Sequence, residues 1–206
     1  MQIFTLGAGG IGSFFAQTLS NLEKAKQFPD KTDIQFFDPD IVEEKNITYQ
    51  NFEAEDIGLD KVEAIDYRLG FPGHCKRVTA KDMEGFSPDI LVCAVDNAAT
   101  RQAVFDHWLN TGTYFIDLRA EGRTISFFTP GSAVGAATPD ERRDRYDKLS
   151  ATLASASDED GSCQRPSDMA AGIIQLGNQI IGPIGAQLVI NRIRGIANPG
   201  SFIKRF

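Results

Sequence analysis

This sequence of 206 residues has little cysteine, little histidine and no net positive charge. Its three cysteines, Cys75, Cys93 and Cys163, are odd in number and far apart. They supply neither a disulfide framework nor the Cys-x-x-Cys pairs of a structural zinc site. His74 and His107 stand alone, without the clustered ligands a metal needs, and read as surface or packing residues. Acids outnumber bases, giving a formal charge of −7. That balance argues against a nucleic-acid-binding surface. No apolar run is long enough to cross a bilayer, and no basic segment followed by an apolar stretch and cleavage site opens the chain. The expectation is a cytoplasmic protein with neither a membrane nor a nucleic-acid partner.

What remains is ordinary for a soluble globular chain, with 42% hydrophobic and 24% charged residues. That length can bury one substantial core, so a single domain over 1–206 is expected. Its organising stretch opens with Gly7-Ala8-Gly9-Gly10-Ile11-Gly12. The apolar run Ile3–Leu6 before it suits a buried parallel strand. After it, Ile11, Phe14, Phe15, Thr18, Leu19 and Leu22 recur at helical spacing. A strand, G-x-G-x-x-G and a helix make a phosphate-binding turn. Gly7 permits the tight turn, Gly9 lets a ligand approach the backbone, and Gly12 lets helix and strand pack closely. The positive helix end then faces the phosphates. A second apolar run, Ile34–Phe37, ends in Asp38, where a Rossmann fold keeps an acid for ribose hydroxyls.

Farther on, Asp56–Leu69 reads as a helix with Ile57, Val62, Ile65 and Leu69 inward, ended by Phe71-Pro72-Gly73. Lys76–Ala80 reads as an edge strand. Asp89–Val95 is the most strand-like run and should lie at the sheet centre. It ends in Asp96-Asn97, at the carboxyl end of a strand where ligands collect. Asp96 either holds Mg²⁺ on a triphosphate or caps the helix starting near Ala98. That helix runs to Leu109, and Thr113–Leu118 is the next strand. Arg123–Thr129 alternates and suggests an antiparallel extension. Arg119 either pairs with Asp117 or Glu121, or touches a phosphate. Gly131–Pro139 reads as loop, and a charged helix starts at Pro139. Ser155–Ser162 is small, polar and acidic, predicting a mobile crossover loop around 155–165, with Cys163 immediately after the acidic run. Met169–Ile196 is apolar at helical spacing, with Pro183 expected to kink or split it.

Asp38-Pro39-Asp40, then Asn46 with Gln50, then Asp56-Ile57-Gly58-Leu59-Asp60-Lys61 resembles the nucleotide site of the ThiF/MoeB/HesA family and of ubiquitin-activating enzymes. Asp96-Asn97 followed by Arg101 matches the D-N-x-x-x-R segment of the same family. The resemblance covers most of the chain and implies an α/β, Rossmann-like, doubly wound fold. Its sheet would be mainly parallel with an antiparallel extension, and helices would cover both faces. It implies a homodimer that uses ATP and Mg²⁺ to adenylate the C-terminal glycine of a ubiquitin-like or sulfur-carrier protein, held by its C-terminal tail. By the same resemblance Gly7, Gly9, Gly10 and Gly12 line the phosphates and Asp38 takes the ribose. Asn46 and Gln50 make polar contacts with the nucleotide. Lys61 neutralises phosphate charge and Asp96 holds the metal. Lys61, Asp96 and Cys163 make up the catalytic set. For Cys163 a helix N-terminus would lower the thiol pKa while Asp158, Glu159 and Asp160 would raise it. A reactive and an inert thiol both stay open.

The chain departs from the family pattern at two cations. Tyr49 stands where an Arg usually precedes the Gln, and no helix with a further Arg precedes the first strand. Arg101, Arg119 and Arg165 are the candidate substitutes, from this chain or a partner subunit. Those departures favour an alternative, a degenerate binding module of the same fold. An NAD(P)-dependent oxidoreductase on the same glycine turn is the other.

Overall fold

The structure, a computed structural model, describes residues 1–131, 138–153 and 176–206. β1 (Gln2–Leu6) runs directly into the glycine turn and α1 (Gly10–Lys24) leaves it. Ile11, Phe15 and Leu19, four residues apart, bury one side of α1. β2 (Asp33–Phe37) returns parallel to β1. Two short 3-10 turns, Glu44–Thr48 and Ala54–Asp56, lead to α2 (Lys61–Leu69), which stops at Gly70 in a left-handed conformation. β3 (Gly73–His74), α3 (Ala80–Met83), β4 (Ile90–Cys93), α4 (Ala98–Thr111), β5 (Tyr114–Glu121) and β6 (Thr124–Phe128) follow. The described elements end with α5 (Pro139–Ala151), α6 (Gly177–Ile193) and β7 (Ser201–Arg205).

All the strands join one seven-stranded sheet in the order β3-β2-β1-β4-β5-β6-β7. The pairings from β3 to β5 are parallel, and those of β6 with β5 and with β7 are antiparallel. Alternation along each strand divides the core into two layers. Ile3, Val92 and Ile116 face α1, α2 and α6, through residues such as Phe15, Ile65 and Val189. Leu6, Leu91 and Phe115 face the other way, onto Val104, Phe105 and Trp108 of α4, with Met83 and Leu149 beyond. Helices therefore cover both faces, as the doubly wound expectation requires. The chain steps outward from β1 to β3 and then crosses to β4 on the other side of β1. A crevice opens at that reversal, beyond the carboxyl ends of β1 and β4.

Four local expectations are corrected. The helix expected from Asp56 starts at Lys61 instead, because Gly58 turns the chain at φ 92° and the Asp56 carboxylate binds Glu53 N–H and Arg68. Ile57, expected inside, is consequently exposed. The edge strand expected at Lys76–Ala80 is only Gly73–His74, since Thr79 and Asp82 form a capping box that starts α3. Pro183 does not split its helix: α6 continues through it. β7, the last strand, was not anticipated. The expected loop around 155–165, with Cys163 and Arg165, lies outside the described residues.

Tertiary packing explains why α6 survives a proline that costs about 3 kcal/mol in a helix interior. α6 lies directly on α1, and a Cβ on Gly182 would meet Phe15 N at 2.8 Å and Ile11 O at 3.0 Å. Gly182→Ala should therefore push two backbones apart and cost about 1–3 kcal/mol. Urea unfolding with an unchanged m-value is the check; wild-type stability would refute this close-packing account.

Candidate functional site

The glycine turn sits in the crevice and is tied to three strands. Gly7 adopts φ 97°, donates its N–H to Phe37 O at 2.8 Å, and faces Ala94 O so closely that a Cβ would lie 2.6 Å away. A Cβ on Gly12 would come within 2.0 Å of Gly7 O. Only glycine fits at either place. Ala8 N–H goes to Asp38 Oδ2 at 2.7 Å and Ser13 N–H to Gly9 O at 2.9 Å. Between them the first-turn N–H groups of α1 lack partners four residues back. α1 has no capping side chain and no acid in its first turn, so its positive end faces the crevice uncompensated.

β2 delivers Asp38 to this turn. Its second oxygen accepts from Asp40 N at 2.9 Å. Burial pushes the Asp38 carboxyl above its usual range, opposed by the Lys61 charge and the two backbone N–H donors. Ile41 and Asp60 then bridge in antiparallel fashion, bringing the start of α2 beside the acids. Lys61, buried, reaches Asp40 Oδ2 at 2.9 Å. A Cβ on Gly9 would lie 3.9 Å from Gln50 Oε1 and 4.0 Å from Lys61 Nζ, so the amide and the ammonium approach the same side of the turn. Gln50 Oε1 is buried without a partner. Asn46 is also buried, but its carboxamide serves the local turn, accepting from Glu43 N and donating to Tyr49 Oη.

These residues line one cavity of about 400 Å³. Of the residues singled out from sequence, Gly7, Gly9, Gly10, Asp38, Asn46, Gln50, Lys61 and Asp96 all border it. Gly12 does not, consistent with its packing duty. Asp96 is exposed at the end of β4, whereas Asn97 caps α4 by accepting from Thr100 N at 2.8 Å. The capping alternative thus falls to Asn97. Cys163 lies outside the described residues. Sequence reasoning missed Lys45, Lys76 and Arg77, which also border the cavity. For Lys76 and Arg77 the only signal was the adjacency of two cations, and Lys45 gave none.

Two of the three arginines offered as substitutes, Arg101 and Arg119, are held elsewhere, and Arg165 lies outside the described residues. Arg101 of α4 pairs with the fully buried Asp117 and donates to Val95 O, just before Asp96. Arg119 donates to the other Asp117 oxygen at 2.7 Å and to Thr152 Oγ1 at 3.0 Å, and lies over Phe128. Neither borders the cavity. Cys93 behaves as a buried hydrophobe, its thiol pushed up to about 12 chiefly by burial. His74 stacks on Phe37 and His107 is buried in α4; neither borders the cavity. Among the described residues no group of three or more metal-ligating side chains occurs, and no helix is long and apolar enough to cross a membrane.

A family profile matches the whole of this architecture: that of the ThiF family, over residues 1–206. The chain belongs to the ThiF family. Solved structures agree in fold. E. coli MccB with ATP has a TM-score of 0.66 at 20% identity, covering 96% of this chain and 57% of that one. PaaA has a TM-score of 0.67 at 17% identity, covering 100% and 60%. The E. coli tRNA N6-threonylcarbamoyladenosine dehydratase, TcdA, has a TM-score of 0.63 at 14% identity, covering 94% and 85%. The chain thus spans less than two thirds of MccB and of PaaA. No curated protein matches it.

Within this ThiF-family fold, Arg101 is a structural anchor for the β4 end. Arg101→Met would leave a buried carboxylate with one partner fewer, and should cost about 3–5 kcal/mol of stability. Denaturant titration measures it; a loss below 1 kcal/mol would show that Arg119 alone suffices for Asp117.

Proposed function

We propose that this ThiF-family chain is an ATP-dependent adenylyltransferase acting on the C-terminal carboxylate of a ubiquitin-like or sulfur-carrier protein. The observation that carries the reading is one cavity bordered together by the glycine turn, Asp38, Gln50, Lys61 and Asp96. Each group suits one part of a nucleotide triphosphate: helix N–H groups and ammonium for phosphates, carboxylate for ribose hydroxyls. A MccB structure holding AMPCPP together with MccA supports a polypeptide as second substrate.

In the proposed reaction a carboxylate oxygen attacks the α-phosphorus, the bond to the bridging oxygen breaks, and pyrophosphate leaves. Two anions must meet, so positive charge at the phosphates governs the barrier. Lys61, now paired with Asp40, turns to the phosphates when ATP enters. Mg²⁺ would shield the same charge, and Asp96 fits it. Asp96 is an exposed carboxylate that joins none of the ion pairs among the described residues, and Mg²⁺ takes the rest of its oxygens from phosphates and water. On this reading the Cys163 thiolate would attack the acyl adenylate, breaking the acyl–phosphate bond to release AMP and leave a thioester.

Tyr49 at the cavity and the engagement of Arg101 and Arg119 with Asp117 favour a second reading, a non-catalytic module that binds ATP and a partner. Two measurements separate them. ATP should raise the melting temperature by mass action, less so without Mg²⁺ or in Asp96→Ala. Carrier-dependent exchange of labelled pyrophosphate into ATP should occur, and should fall at least about 100-fold in Lys61→Ala. Stabilisation without exchange would establish the binding module; stabilisation by NAD alone would overturn both.

A further inference from the structure

Behind the glycine turn, outside the cavity lining, stands Asn178, the second residue of α6. It is 1% exposed, and both its Nδ2 and its Oδ1 are buried without a hydrogen-bond partner. Its carboxamide presses on Gly10, where a Cβ would lie 2.2 Å from Nδ2. Leaving a buried amide wholly unpaired is costly, and native proteins rarely do so without cause.

The surroundings point to the cause. Contacts of Gly10 with Asn178, of Ile11 and Phe15 with Gly182, and of Phe15 with Gly185 advance together along both chains. α1 and α6 are therefore parallel, and their N-termini meet at the turn. Each carries the equivalent of about half a positive charge at that end. Neither has a capping side chain or an acid in its first turn. Parallel dipoles repel side by side, and a like-charged pair of helix ends is relieved by an anion.

We propose that Asn178 is a positioning residue for phosphate: through Gly10 it fixes the first turn of α1, and it gains hydrogen bonds when an anion settles the turn. The binding feature is then a pair of helix ends, α1 at the cavity and α6 behind it, rather than α1 alone. This deepens, and for ATP rests on, the nucleotide reading above, while the phosphate part stands by itself.

Calorimetry with inorganic pyrophosphate and with ATP tests this on wild-type protein and Asn178→Leu. Leucine is close in shape and removes both unpaired atoms, so the melting temperature of the empty protein should hold or rise. Pyrophosphate should nevertheless bind about tenfold more weakly, the equivalent of one lost hydrogen bond. A merely structural asparagine predicts equal affinity in the stabilised variant, and that result overturns the proposal, as does wild-type protein that binds no pyrophosphate. Asn178-dependent binding of pyrophosphate with ATP no tighter would uphold the proposal and sink the nucleotide reading instead. Should Asn178→Leu not fold, Asn178→Ser and Asn178→Ala decide. Serine keeps a donor and should bind pyrophosphate more tightly than alanine; equal affinities refute the role.

Discussion

The carbonyl oxygen of Gly7 occupies the place where a side chain at residue 12 would be, 2.0 Å from an added Cβ. Much else follows from that contact. It holds α1 against β1 with only Gly7, Ala8 and Gly9 between them, so the helix begins in the crevice at the chain reversal. Gly7 in turn leans on Ala94 at the end of β4 and donates to Phe37 at the end of β2. Three strand ends are thereby fixed relative to one helix start. Asp38 completes the arrangement by accepting from Ala8 N–H, so the acid and the turn hold each other in place. A site assembled this way needs no ligand to define it, as pre-formed clefts generally do not.

Charge in and around this frame is divided by burial. The fully buried Asp117 takes two guanidinium partners, Arg101 and Arg119, and those cations are lost to the cavity. Asp40 is more than half exposed and takes one, Lys61. A partly solvated ion pair is weak and screened, whereas a buried one is costly to break. Lys61 is thus a buried cation at the cavity whose ion-pair partner, Asp40, is largely solvated. The D-x-D pattern accordingly splits into two jobs: Asp38 shapes the turn and Asp40 keeps the lysine in waiting.

Legibility in the sequence followed the range of the forces involved. The glycine turn, Asp38 and the central β4 run were readable because steric and hydrophobic demands there are local. The antiparallel extension showed through the alternation of Arg123–Thr129. The start of α2 was misplaced because Arg68, twelve residues beyond Asp56, draws its carboxylate away from helix capping. Pro183 was read by local rule, but a long-range contact of Gly182 with α1 overrode it. β7 escaped because its residues are all exposed and carry no core periodicity. At the site, residues joined by sequence spacing were found, while Lys45, Lys76 and Arg77 come to the cavity from segments whose fold had been misjudged or passed over. Whether Arg101 and Arg119 reach phosphate was undecidable from sequence, since only burial reveals that Asp117 claims both.

Unpaired buried groups mark where this fold is least at rest. Gln50 Oε1 adjoins Gly9 and both amide atoms of Asn178 adjoin Gly10, all of them without partners. At many other places capping boxes, left-handed glycines and alternating strands agree with the global fold. Buried polar atoms of Thr5, His107, Arg119, Arg142 and Ser150 also lack partners among the described residues, but those of Gln50 and Asn178 are the ones that adjoin Gly9 and Gly10. The two places differ in kind. An unpaired oxygen at the cavity repels phosphate but suits an N–H or hydroxyl donor, whereas helix N–H groups suit only acceptors. A ligand that satisfied both would carry anionic oxygens and donor groups in one molecule, a few ångströms apart, which is the chemistry of a nucleotide rather than of a free anion.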